Sequence, residues 1–186
     1  MRRLFLIAGL MTALGLAVVA ASAFAPANFA GTWSLDKAKS QGLDPRMQNA
    51  ESVTWTITQD DKQISIDSKV VAGAPPAGAP GGPGGGGGGM GGGRGPAGPR
   101  VFSLDGKEVT AEAPGGNNTT KSTWSGDGKT LELSSVRTGN RDGNEFKITT
   151  VDKMSLSGDG KVLTDVRHSE SPRGAQDSTM VFNKQQ

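Results

Sequence analysis

Apolar and polar residues alternate with a period of two along most of the chain beyond residue 28. Phe29, Gly31, Trp33 and Leu35 share one phase, with Thr32 and Ser34 on the other. That spacing predicts a strand with one buried face. Val53, Trp55 and Ile57 alternate with Thr54, Thr56 and Thr58. A polar Asp60-Asp61-Lys62 turn follows, and Ile64, Ile66 and Val70 resume the pattern. Residues 52–70 therefore read as a hairpin. Residues 101–115 read as strand, Asp105-Gly106 turn and strand, with Phe102 and Leu104 before the turn and Val109 and Ala111 after it.

The later chain carries an internal repeat. Ser125-Gly126-Asp127-Gly128-Lys129-Thr130-Leu131 recurs 32 residues on as Ser157-Gly158-Asp159-Gly160-Lys161-Val162-Leu163. Each copy lies between alternating runs, and Asp-Gly suits a tight turn that needs positive φ. A calcium loop supplies several carboxylates at alternate positions, whereas each copy here offers one. Residues 36–52 lack periodicity and read as a long loop with one helical turn after Asp44-Pro45. Residues 114–118 read as a turn-rich connection, with Asn117-Asn118-Thr119-Thr120 taken as turn residues. Residues 169–176 read as a polar loop before a last strand near 178–183. The expected architecture is all-β: an antiparallel up-and-down meander of about 8–10 strands, which closes into a barrel and so removes exposed edges.

Composition sets the boundaries. Arg2 and Arg3 precede an almost wholly apolar run over residues 4–20, and Ala21-Ser22-Ala23 offers a small-x-small cleavage site. Residues 1–23 thus read as a removable signal peptide, which implies a periplasmic or secreted bacterial protein without stable membrane insertion afterwards. Arg2-Arg3-Leu4-Phe5-Leu6 also matches the core of a twin-arginine signal. Residues 72–100 contain 15 Gly and 6 Pro and no aromatic residue. Such a segment cannot bury enough surface to offset its ordering entropy, so it is expected to be a disordered loop inserted into a single domain spanning 28–184. The chain has no cysteine, which excludes disulfides and thiolate metal sites. Without Arg2 and Arg3, 18 basic residues face 18 acidic ones, and no basic field exists to attract nucleic acid.

Phe29-Ala30-Gly31-Thr32-Trp33 resembles the F-x-G-x-W motif at the start of lipocalins and related calycin barrels. The wider pattern resembles small secreted bacterial proteins described as lipocalin-like. Leu35-Asp36, Leu104-Asp105-Gly106-Lys107-Glu108 and Leu156-Ser157-Gly158-Asp159-Gly160-Lys161-Val162-Leu163 carry it. The resemblance implies that Phe29, Gly31 and Trp33 close one end of the barrel, that Gly31 permits a bend, and that an arginine packs on Trp33; Arg167 and Arg173 are both open to that role. The lipocalin T-D-Y motif is approached by Thr164-Asp165-Val166 alone, at another place in the strand order, and the chain has no tyrosine. A small hydrophobic ligand is the implied partner.

Candidate chemistry lies in the late strands. Asp165 and Arg167 are in phase with Leu163, and Asp152 is in phase with Ile148 and Met154. If that phase points inward, the three form a polar cluster inside the barrel, because buried charges need partners; a bulge would turn them outward instead. With Trp55 and Trp124 as apolar walls, these residues are the candidate ligand-binding set. His168 is the only histidine and reads as a strand-end surface residue, so neither a histidine metal site nor a hydrolytic triad is expected. The expected protein is a non-enzymatic exported barrel, without metal or cofactor, that holds a small apolar or amphipathic molecule. The alternative is a filled barrel acting as a cell-envelope interaction or structural module.

Overall fold

The computed structural model describes residues 25–73, 98–113, 115–141 and 143–186. The expected signal peptide over residues 1–23 and all but the ends of the glycine-rich insertion lie outside them. Ten strands follow in sequence: β1 (Gly31–Leu35), β2 (Ala50–Gln59), β3 (Gln63–Ala72), β4 (Arg100–Ser103), β5 (Val109–Ala113), β6 (Gly116–Trp124), β7 (Thr130–Arg141), β8 (Asn144–Leu156), β9 (Val162–Ser171) and β10 (Gly174–Lys184). They form one antiparallel sheet in the order β4-β3-β2-β1-β10-β9-β8-β7-β6-β5. The expected all-β meander and barrel are therefore present.

The barrel is nearly closed. β4 pairs only with β3 and β5 only with β6, so the two halves of residues 101–115 are not a paired hairpin. β4 begins at Arg100, directly after Pro99, which has no N–H to continue a ladder. Below that point the ends meet through Ser122 Oγ, which donates to the Ser103 carbonyl at 2.5 Å.

Several expected boundaries move. Ala72 ends β3 and Arg100 opens β4, so both ends of the 72–100 insertion belong to the sheet. Asn117–Thr120 lie within β6, where every second side chain can face outward without a turn. Residues 169–176 are a hairpin rather than a loop, with β9 running to Ser171 and β10 starting at Gly174. Residues 36–49 are tethered over the open end. Gln41 bridges Thr179, the Val181 N–H donates to Ser40 Oγ at 3.0 Å, and Lys37 Nζ donates to the Ala50 carbonyl at 2.6 Å. The expected helical turn is α1 (Pro45–Asn49); Asp44 Oδ1 caps it by accepting from the N–H groups of Arg46 and Met47.

The core sits in the closed half. Phe29, Trp33, Trp55, Phe102 and Phe182 are buried together with Ile57, Ile64, Ile66, Leu131, Leu133, Met154 and Leu163. Each such side chain contributes about 1.5–3 kcal/mol on burial. Gly31 has φ +141°, a backbone conformation that L side chains rarely adopt, so glycine suits this point of the first strand; an added methyl group would meet only the mobile end of Lys184, Cε at 2.9 Å. The two repeat turns are superposable in chemistry. Ser125 and Ser157 hydroxyls each donate to the following aspartate at 2.6 Å, and Gly128 and Gly160 have φ 67° and 69°. No helix among the described residues is long and apolar enough to cross a membrane.

Candidate functional site

Period-two alternation carries large apolar residues on the inner pleat of the closed half, then changes character. β8 runs from buried Met154 to Asp152 and Thr150, and β9 from buried Leu163 to Asp165, Arg167 and Ser169. Asp152 pairs across the strands with Arg167, and Asp165 with Met154 and Met180. No bulge interrupts this register, so the charges point inward: Asp152 is 1% exposed and Asp165 is 0% exposed.

The polar layer has a clear hierarchy. Asp152 Oδ1 accepts from Arg167 Nε at 2.5 Å and Asp152 Oδ2 from Arg100 Nη1 at 2.6 Å. Burial alone would raise the Asp152 pKa, but the Arg100 and Arg167 charges and hydrogen bonds outweigh it and hold it below the usual value. Asp165 receives no hydrogen bond on either oxygen; Arg167 Nη2 stands 3.8 Å away. Burial and the neighbouring Asp152 charge push the Asp165 pKa up to about 7. Burial depresses the Arg167 pKa less than the Asp152 and Asp165 charges raise it, so its net shift is upward. Trp55 is the apolar floor. Its ring centroid lies 4.3 Å from that of Phe182, the planes tilted by 32°, and the Arg100 and Arg167 guanidiniums lie 5.7 and 6.0 Å from its centroid. The Trp55 indole N–H is buried without a partner.

The structure thus brings together Trp55, Asp152, Asp165 and Arg167, and leaves Trp124 apart. Trp124 stands on β6, three strands from Asp165 on β9, and stacks on Phe29 at 6.0 Å in the closed end. Phe29, Gly31 and Trp33 do lie at that end, where Trp33 Nε1 donates to the Phe29 carbonyl at 2.9 Å. The cation over Trp33 is Lys184, 5.2 Å from the ring centroid, rather than Arg167 or Arg173. Lys184 closes β10 beside β1, which brings it to Trp33 directly. His168 sits inside β9 on the outer face, bound to Asp177 at 2.6 Å. It is not at a strand end, because β9 continues to Ser171.

Arg100 is the residue that sequence reading missed. It closes a segment dominated by glycine and proline, and its ion partner lies 52 residues away. The available signal was its alternation with Phe102 on one pleat. Beyond the layer, the inner pleat carries Ser68, Thr120, Ser135, Thr150, Ser169 and Ser178, largely half-buried. Two open depressions lie elsewhere among the described residues. One of about 240 Å³ is lined by Lys37, Ser40, Gly42, Leu43 and Gln48; the other, of about 520 Å³, lies at the β7–β8 tip around Gly139 and Phe146.

No family model and no curated protein matches the chain. A solved structure of the zebrafish ileal bile acid-binding protein with cholic acid aligns with 84% of this chain and 98% of its own. The identity is 12% and the TM-score 0.38, a likeness too distant to bear on a ligand for this chain.

Proposed function

We propose that this protein is an exported, non-enzymatic barrel that holds a small amphipathic molecule at its open end, with the polar group on the Arg100–Asp152–Arg167 layer. The observation that carries this reading is a fully buried carboxylate and a buried indole N–H, neither with a hydrogen bond, beside two arginine side chains about one-fifth exposed. Buried polar groups without partners cost stability, and a ligand group that pairs with them offsets that cost. The hydroxyl-bearing pleat above the layer suits the entry of a polar head. Export is supported by Arg2-Arg3, the apolar run and Ala21-Ser22-Ala23.

Native mass spectrometry of the purified mature chain tests the reading. An amphiphile should travel with the wild type and be lost from Arg167→Met. A bare wild-type mass, or an adduct indifferent to Arg167→Met, counts against it. A second reading, a filled barrel serving as an envelope interaction module, is favoured by the large side chains that occupy the closed half. It predicts the bare mass.

A further inference from the structure

The charges in the layer do not balance equally. Asp152 spends both oxygens on Arg100 and Arg167, while Asp165 stands between Met154 and Met180 with no hydrogen bond. With all four groups ionised, the layer is formally neutral. Each guanidinium has five N–H donors and gives one to Asp152 in these contacts, so donors remain for a further acceptor. Both side chains are about one-fifth exposed, so an anion entering from the open end reaches them. Its charge would then join two carboxylates in a confined, poorly solvated space.

We propose that the polar layer binds the anionic head of an amphipathic molecule together with one proton, and that Asp165 takes the proton. This rests on the ligand-holding reading above and specifies its chemistry. Protonation turns Asp165 from a buried carboxylate without a hydrogen bond into a neutral carboxyl able to donate one, and it leaves the layer with one net positive charge for the anion. Binding and protonation therefore favour each other. The groups facing Asp165 agree with this. Burial favours the proton most, Asp152 on β8 adds to it, and Arg167 on β9 and Arg100 on β4 oppose it. Asp44, before α1, acts on Arg167. His168 faces outward and belongs to a separate charge group with Asp177 and Glu170.

The test is calorimetric titration of the mature chain with decanesulfonate, which stays ionised throughout, and with decanol as the neutral counterpart. Paired buffers of different ionisation enthalpy count the protons taken up. The expected result is close to one proton per decanesulfonate at pH 8, with affinity falling about tenfold per pH unit above the Asp165 midpoint. Asp165→Asn should bind decanesulfonate without proton uptake, and His168→Gln should behave as wild type. Decanesulfonate binding to wild type without proton uptake overturns the proposal, as does uptake retained in Asp165→Asn or lost in His168→Gln. If decanol binds and decanesulfonate does not at any pH, the proton-linked anion site falls while the ligand-holding reading stands. If neither binds, both fall. Carboxyl-carbon NMR reads the same linkage without a variant: decanesulfonate must raise the Asp165 midpoint, and an unmoved midpoint overturns the proposal.

Discussion

Trp33 and Trp55 are cross-strand partners on β1 and β2, yet only one indole N–H is satisfied. Trp33 Nε1 donates to the Phe29 carbonyl, and Trp55 Nε1 has no acceptor. Both rings are buried to within 1%. Truncating Trp33 to alanine should cost about 3–5 kcal/mol, the range for emptying an aromatic site in a core. Trp→Phe separates the polar term from the packing. Trp33→Phe should be the more damaging replacement by about 1–2 kcal/mol, since it strands a carbonyl while Trp55→Phe relieves an unpaired donor. Urea unfolding of the two variants checks the order, and equal losses would count against the assigned hydrogen bond.

Asp152 should be the more sensitive carboxylate. Asp152→Ala removes the partner of two guanidiniums at once, and breaking a buried pair from one side costs about 3–5 kcal/mol. Its folded pKa lies below its unfolded value, so its contribution is present above the unfolded pKa and lost as pH falls through the folded one. Wild type should lose stability on acidification below pH 4 more steeply than Asp152→Ala, as read by denaturant midpoints along a pH series.

Asp165 should behave in the opposite sense. Its folded pKa is raised from 3.8 to about 7, so the folded chain binds the proton more tightly than the unfolded one between those values. Stability is then lost as pH rises from about 4 to 7, and the penalty is complete above that range. Asp165→Asn removes the penalty. It should match wild type near pH 4 and exceed it at pH 8 by on the order of a few kcal/mol, given 1.36 kcal/mol per pKa unit. Chemical denaturation at the two pH values decides; a gap that narrows toward pH 8 contradicts the assigned environment.

His168 reports on the outer wall. Hydrogen bonding to Asp177 first, and to Glu170 second, raises its pKa above the ordinary 6.5. Whatever it adds to stability is fully present below the unfolded pKa and is lost as pH rises through the folded one. Proton NMR of the imidazole should show a downward-shifted midpoint in Asp177→Asn. An unchanged midpoint would mean that the pair does not persist in solution.

The legible parts of the molecule were those written in local alternation. Val53-Trp55-Ile57 and the twin Asp-Gly turns each specify a strand or a hairpin within a few residues. The inward phase of Asp152, Asp165 and Arg167 follows from the same rule, because no bulge interrupts β8 or β9 there. What stayed hidden depends on distant pairing. Asn117–Thr120 carry turn-forming side chains, but pairing with β7 overrides their local preference. Arg100 reaches Asp152 from the far side of the sheet, and Lys184 meets Trp33 only because β10 pairs with β1; no sequence spacing encodes either meeting. Trp124 shared the apolar phase of the site, but its strand lies on another part of the wall.

The break in the wall between β4 and β5 has a consequence for chain order. Every ladder joins sequence neighbours except β1 with β10, and residues 104–108 link the two ends of the sheet without a ladder across them. Ala27 and Gln185 both lie at the closed end: the Ala27 N–H donates to the Gly128 carbonyl, and the Gln185 N–H to the Thr32 carbonyl. The sheet therefore runs as an unbroken meander when read from β5 round to β4. Joining the chain's ends and opening it near Lys107 would leave β5 through β10 followed by β1 through β4, each strand beside the next. Such a rearranged chain keeps every rung of the native sheet while making β10 and β1 sequence neighbours, and should fold faster for that reason.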